Sequence, residues 1–163
     1  PWATMKKSKT SAAPPVDLET LPGHYIRRLH QIAVAIFMQD TEGHGVTPVQ
    51  YGALQAVRNT PGIDQRTLAR SIGFDTSTIA GVVDRLEARG LLQRSASPDD
   101  RRVRLLTLTD AGQALVDAVV PSMWRAQERM LEPLPVRDRG EFLRMLRALV
   151  QANNALSRAP SDV

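Results

Sequence analysis

The sequence predicts a mainly α-helical chain carrying one small β element. Apolar residues recur at helical spacing in six separate segments, and the third and fourth of these are short and meet at a glycine. Directly behind the fourth, a leucine-rich stretch is interrupted by Ser97-Pro98-Asp99-Asp100, the chemistry of a turn between two strands. Two short helices joined in this way are a helix-turn-helix, and a hairpin directly after them is a wing. The terminal helices have no sheet to cover, so they are expected to pack on each other across a two-fold axis.

Along the chain, residues 1–16 are Lys, Ser, Thr, Ala and Pro with little to pack, the composition of a disordered arm. Pro1-Trp2-Ala3-Thr4 ahead of Met5 reads as an expression scar. From Leu21 to Met38, Tyr25, Ile26, Leu29, Ile32, Ala33, Ile36 and Phe37 share a face and predict the first helix. Glu42-Gly43-His44-Gly45 breaks it, and Thr47-Pro48 reads as an N-cap followed by proline at the first helical position, opening a second helix that runs to about Arg58. After the turn Asn59-Thr60-Pro61-Gly62, Asp64 or Gln65 opens a short third helix bearing Leu68, Ala69 and Ile72, which Gly73 stops. Asp75 caps the fourth, whose Ile79, Val82, Val83 and Leu86 share a face, and Gly90 closes it. Strand character over Leu91 to Arg94 and Val103 to Leu108 supplies the hairpin. Thr109 caps a long fifth helix carrying Ala111, Leu115, Ala118, Val119, Met123 and Met130 to about Leu131, with a kink expected at Pro121. Glu132-Pro133-Leu134-Pro135 ends it, and Phe142, Leu143, Leu146, Leu149 and Val150 mark the last helix.

Composition removes several function classes. The chain has no cysteine, which excludes disulfides, thiolate catalysis, zinc–thiolate sites and iron–sulfur clusters. Its longest apolar run, Ile32 to Met38, falls far short of the roughly 18 residues of a membrane span. No secretory segment follows the first lysines, so a cytoplasmic protein is expected. The formal charge is +4, but Lys6, Lys7 and Lys9 are the only lysines and without them +1 remains. Between Asp64 and Asp110 eight arginines face seven acids. Any nucleic-acid argument therefore rests on where the arginines stand.

The informative segments are Asp84-Arg85-Leu86-Glu87-Ala88-Arg89-Gly90-Leu91 and, after the turn, Asp100-Arg101-Arg102-Val103-Arg104-Leu105-Leu106-Thr107-Leu108-Thr109. With Ile79, Val83 and Leu86 inward, the fourth helix presents Ser77, Gly81, Asp84 and Ala88 outward, flanked by Thr78 and Arg85. A small, hydroxyl-bearing face lets a helix approach base edges in a major groove. Arg85 and Arg89 suit phosphates, and Arg94, Arg101, Arg102 and Arg104, close together in the hairpin, suit insertion into a minor groove. The alternative is a solvated helix face beside a surface hairpin whose acids and arginines neutralise one another.

Together these motifs resemble the MarR family of bacterial winged-helix regulators, over roughly Leu21 to Ala155. The resemblance implies a dimeric architecture with Arg102 at the wing tip, and a wing locked by pairing Asp84 with Arg102, Asp100 being a nearer partner in sequence. It further implies double-stranded operator DNA as the partner.

The first helix, from Leu21 through His24-Tyr25, Arg27-Arg28 and His30 to Phe37, is similar to that of MarR-type regulators of aromatic-acid catabolism, nicotinate pathways among them. His24, Tyr25 and Arg28 offer an imidazole, a phenol and a cation to a carboxylate-bearing ring. Gln50, Tyr51 and Trp124 are expected to complete this site where the first helix meets the second and the fifth. In the alternative reading Tyr25 is core, with His24 and Arg28 solvated. His24, His30 and His44 have no carboxylate at ligand spacing, and His24 and His30 do not share a helix face, so no metal is expected. Gly-x-Ser-x-Gly, a Walker loop and His-Glu-x-x-His are all missing, so neither an enzyme nor a cofactor is expected.

The expected organisation is an arm over 1–16, a dimerisation helix within 17–46, a winged helix-turn-helix over 47–112, C-terminal dimerisation helices over 113–158 and a tail over 159–163. The expected function is that of a ligand-responsive regulator, a repressor, that binds a near-palindromic operator as a homodimer and is released by a small aromatic carboxylate. The competing class is a winged helix that binds protein, which a dominant apolar patch on the outer face would favour.

Overall fold

The computed structural model describes residues 12–157; residues 1–4, the three lysines and the tail over 159–163 lie outside the described residues. After a 3-10 turn at Leu18–Thr20, the elements are α1 (Pro22–Asp40), α2 (Pro48–Asn59), β1 (Ile63–Asp64), α3 (Gln65–Ser71), α4 (Thr76–Ala88), β2 (Leu92–Ala96), β3 (Arg104–Leu108), α5 (Asp110–Leu131) and α6 (Val136–Ala152), followed by a 3-10 turn at Asn154–Leu156. Mainly helical with one small sheet, this is the expected fold class.

Side-chain caps set the helix starts. Thr47 Oγ1 accepts from the Gln50 amide at 3.2 Å while the Thr47 amide donates to Gln50 Oε1 at 3.1 Å, a reciprocal capping box that opens α2. Asp64, Asp75 and Thr109 cap α3, α4 and α5 by accepting from the amides of Thr67, Thr78 and Gly112 at 2.8, 2.7 and 3.0 Å. α4 ends in a Schellman turn, in which Gly90 donates to the Glu87 carbonyl at 2.8 Å and Leu91 to the Leu86 carbonyl at 3.0 Å. Gly90 takes φ +71° there, a backbone state that glycine adopts without strain.

The sheet is antiparallel in the order β1-β3-β2, with Ile63 opposite Leu106, Leu92 opposite Leu108 and Ala96 opposite Arg104. β1 has no counterpart among the elements expected from the sequence. Two residues are too few to show a period of two, and the strand exists because the turn before it lets Gly62 donate to the Leu106 carbonyl at 2.8 Å. α5 runs as one helix from Asp110 to Leu131 with Pro121 inside it. Proline there gives up the bond its N–H would have made one turn back, and its ring is exposed.

Leu54, Leu68, Ile79, Leu86, Leu92, Leu106 and Val116 are fully buried in one core drawn from α2, α3, α4, the hairpin and the first half of α5. The two ends of the chain contribute unequally. α1 lies along α5, buries Phe37, and is tied at its C-terminus where Arg129 donates to Asp40 at 3.0 Å and to Gln39 at 3.1 Å. α6 has no buried residue at all.

Candidate functional site

α4 is held by its apolar stripe: Ile79, Val82, Val83 and Leu86 are buried, which turns Ser77, Thr78, Asp84 and Arg85 outward. The Thr78 hydroxyl donates to Asp75 Oδ2 at 2.9 Å, so it faces outward with its proton committed to the cap. Arg85 folds back one turn, and its guanidinium lies 3.7 Å from where a Cβ on Gly81 would stand. The outer face near the N-terminus of α4 is therefore small, polar and accessible.

The hairpin arginines take different partners from those expected. Asp84 does not pair with Arg102. Arg94 on β2 reaches back to α4, with Nη2 donating to Asp84 at 2.6 Å and Nε to Glu87 at 2.7 Å. The bond to Glu87, opposed by partial burial and reinforced by Asp84, holds the Arg94 guanidinium above its usual pKa. Arg102 instead closes on Asp100, donating from Nε and Nη2 at 3.1 Å each and from its backbone amide at 3.0 Å. Those bonds, the side chain's first, keep the Asp100 carboxyl below the ordinary range. Arg101, Arg102 and Arg104 are exposed around the tip.

Arg89, expected to meet phosphate, is engaged within the chain. Its Nη1 donates to the Gly45 carbonyl at 2.8 Å, tying the end of α4 to the loop between α1 and α2. The roles of Arg89 and Arg94 follow from tertiary placement, although one signal is present in the sequence. Strand alternation puts Arg94 on the same side as buried Leu92, and that side faces α4. Arg94→Ala should cost only about 1 kcal/mol of global stability, because both bonds are partly exposed. Amide exchange in the hairpin should nevertheless accelerate relative to the core; unchanged hairpin exchange would mean that strand pairing alone holds the wing.

The expected ligand residues are not gathered in one cavity. Gln50 is spent on the cap of α2. Tyr51 packs on Phe37 with ring centroids 5.8 Å apart, and its hydroxyl donates to Gln55 at 3.0 Å. His24 and Tyr25 meet edge to face at 5.5 Å, with Arg28 exposed one turn on. Tyr25 is half exposed rather than core, and Trp124 stands 61% exposed on α5. Two cavities lie elsewhere, one between α3 and the wing and another beside Asp40, Arg129 and Arg139. Among the described residues no cluster of His, Asp and Glu could hold a metal ion, and no helix is long and apolar enough to cross a membrane.

Comparison with known proteins places this geometry. A family model described as MarR family matches residues 44–103. The transcriptional repressor NicR of Pseudomonas putida is 34% identical over 152 residues, covering 91% of this chain and 96% of that protein. The PcaV transcriptional regulator from Streptomyces coelicolor, crystallised with its natural ligand, superposes with a TM-score of 0.80 at 37% identity, over 86% of this chain and 99% of that one. BpsR of Bordetella bronchiseptica, whose structure concerns the regulation of its DNA binding by 6-hydroxynicotinic acid, superposes with a TM-score of 0.79 at 33% identity, over 83% and 97%.

Proposed function

The chain belongs to the MarR family, and from that premise we propose that it is a ligand-responsive repressor that binds a near-palindromic operator as a homodimer and is released by a small aromatic carboxylate. The observation that carries the DNA reading is the juxtaposition of the small polar face of α4 with an arginine-tipped hairpin. Ser77, Thr78 and Gly81 allow close approach to base edges, Arg85 reaches phosphate, and Arg101 and Arg102 enter the flanking minor groove, with Arg104 beside them on β3 facing the DNA. The protein-binding alternative needs an apolar patch on that face, and the large apolar side chains of α4, Ile79, Val82, Val83 and Leu86, are all turned into the core. The reading head spans 47–112, with 17–46 and 113–158 forming the dimerisation module. We assign no catalytic role, and place the protein on DNA in the bacterial cytoplasm.

The name of NicR supports a repressor, and an aromatic-acid effector is supported by BpsR, whose DNA binding 6-hydroxynicotinic acid regulates. In this chain His24, Tyr25 and Arg28 on α1 and Trp124 on α5 remain for such a ligand, and a second copy laid on α1 would supply the missing walls. A ligand that favours a different spacing of the two heads weakens operator binding by the factor by which DNA weakens ligand binding.

The test is a thermal-shift screen against aromatic carboxylates, followed by operator titration. A true effector raises the melting temperature and releases the operator, a palindrome with half-sites roughly 10 bp apart. Arg28→Ala should abolish that response with operator affinity near normal, whereas Arg102→Ala should cost about 1–3 kcal/mol of operator binding with the response intact. A response that survives Arg28→Ala makes Arg28 structural; unchanged DNA binding by Arg102→Ala removes the wing from the interface.

A further inference from the structure

Between α3 and the wing lies a groove of about 720 Å³, walled by Arg66 and Arg70 on one side and Arg102 and Arg104 on the other, with Asp64 and Asp100 at its edges. Four arginines outnumber two acids there, and both acids are engaged locally. Asp64 accepts from the Thr67 amide at 2.8 Å and from its hydroxyl at 2.6 Å, and Asp100 is held by Arg102. Burial alone would raise the Asp64 pKa; its bonds to Thr67 and neighbouring amides more than offset this and lower it, so the carboxylate stays charged and in place. Arg66 and Arg104 are exposed and make no ion pair among the described residues. In the same wall the Gln65 side-chain oxygen is buried without a hydrogen-bond partner, an acceptor that a bridging water would satisfy.

In a helix-turn-helix the second helix enters the major groove while the first crosses the backbone, and an arginine-bearing wing enters the adjoining minor groove. The strand dividing those grooves then passes between α3 and the wing. We propose that this groove is a phosphodiester-binding track, in which Arg66 and Arg104 clamp the operator backbone without reading its sequence. The assignment rests on the DNA-binding reading above and adds Arg66 on α3 to the surface that meets DNA.

Fluorescence-anisotropy titrations of the full chain with operator and with random duplex, at several salt concentrations, test it. Each phosphate that a variant no longer neutralises reduces the slope of log K against log salt by about one. Arg66→Ala and Arg104→Ala should each show that reduction and weaken operator and random duplex by the same factor, leaving their ratio unchanged. Melting curves of both variants should match the parent, since both side chains are exposed. Parental slopes in both variants, or a weakening confined to the operator, would overturn the track while leaving the regulator reading intact. If the parent itself showed no salt-dependent duplex binding, the regulator reading would fail first. Inorganic phosphate at constant ionic strength is the control: stabilisation that Arg66→Ala removes, with duplex slopes unchanged, would make the groove a pocket for a small anion and overturn the assignment.

Discussion

Gly112→Ala should lower the stability of the protein by about 3 kcal/mol or more, a drop in melting temperature of roughly 6–12 °C. Gly112 is buried in the first turn of α5, where a Cβ would overlap the carbonyl group of Leu91. Backbone meets backbone at that point, so no side-chain rotation relieves the clash. The approach is also fixed from both sides. Thr109, which caps α5 through the Gly112 amide, donates its hydroxyl to the Gly90 carbonyl at 2.6 Å, and its own amide donates to the Leu91 carbonyl at 3.2 Å. A methyl group there must push α5 away from the end of α4, so the same substitution should loosen α4 from α5. Gly52→Ala in α2 is the control, because nothing lies within 4 Å of that Cβ. There the change should stabilise by about 0.5–1 kcal/mol, the ordinary gain of alanine over glycine inside a helix. Equal melting temperatures for the two variants would show that α5 can slide on Leu91 without cost.

What is legible in the sequence follows the same physics. Helix starts are readable because Thr47, Asp64, Asp75 and Thr109 cap through their own side chains, and the close of α4 is readable because Gly90 must take a positive φ. The pattern Thr47-x-x-Gln50 is a capping-box signature, so the part Gln50 plays in opening α2 is readable too. β1 leaves no trace because its pairing partner lies more than forty residues away, on β3. The wing lock is half readable. An arginine of the hairpin does hold Asp84, but choosing Arg94 over Arg102 requires the register of β2 on β3 and the side of the sheet that faces α4. The ligand site is the least accessible, since neither the packing of Tyr51 on Phe37 nor the exposure of Trp124 follows from helical spacing within one element.

Leu149→Glu should convert the protein from a dimer to a monomer at micromolar concentration and weaken operator binding roughly 100-fold or more. The argument starts from α6, which carries apolar residues at helical spacing and fully buries none of them: Leu143, Leu149 and Val150 are 45%, 56% and 65% exposed. Among the described residues the one substantial neighbour of α6 within its own chain is the short turn at Asn154–Leu156. On α1, Tyr25, Ile26 and Ile32 form a second exposed row, each about half accessible. Patches of this kind mark an association surface rather than a solvated one, and a two-fold axis lets two copies cover each other's rows with a single interface. An unpaired carboxylate buried there costs about 3–5 kcal/mol. Symmetry imposes it twice, so the dimer weakens by roughly 6 kcal/mol or more, about four orders of magnitude in its dissociation constant. Two reading heads then no longer act on one DNA, and the gain from linking them disappears. Sedimentation velocity reads the assembly state directly, and far-UV dichroism separates dissociation from unfolding. A variant that stays dimeric with the operator affinity of the parent would show that α6 lies outside the seam, and would move the interface to α1 alone.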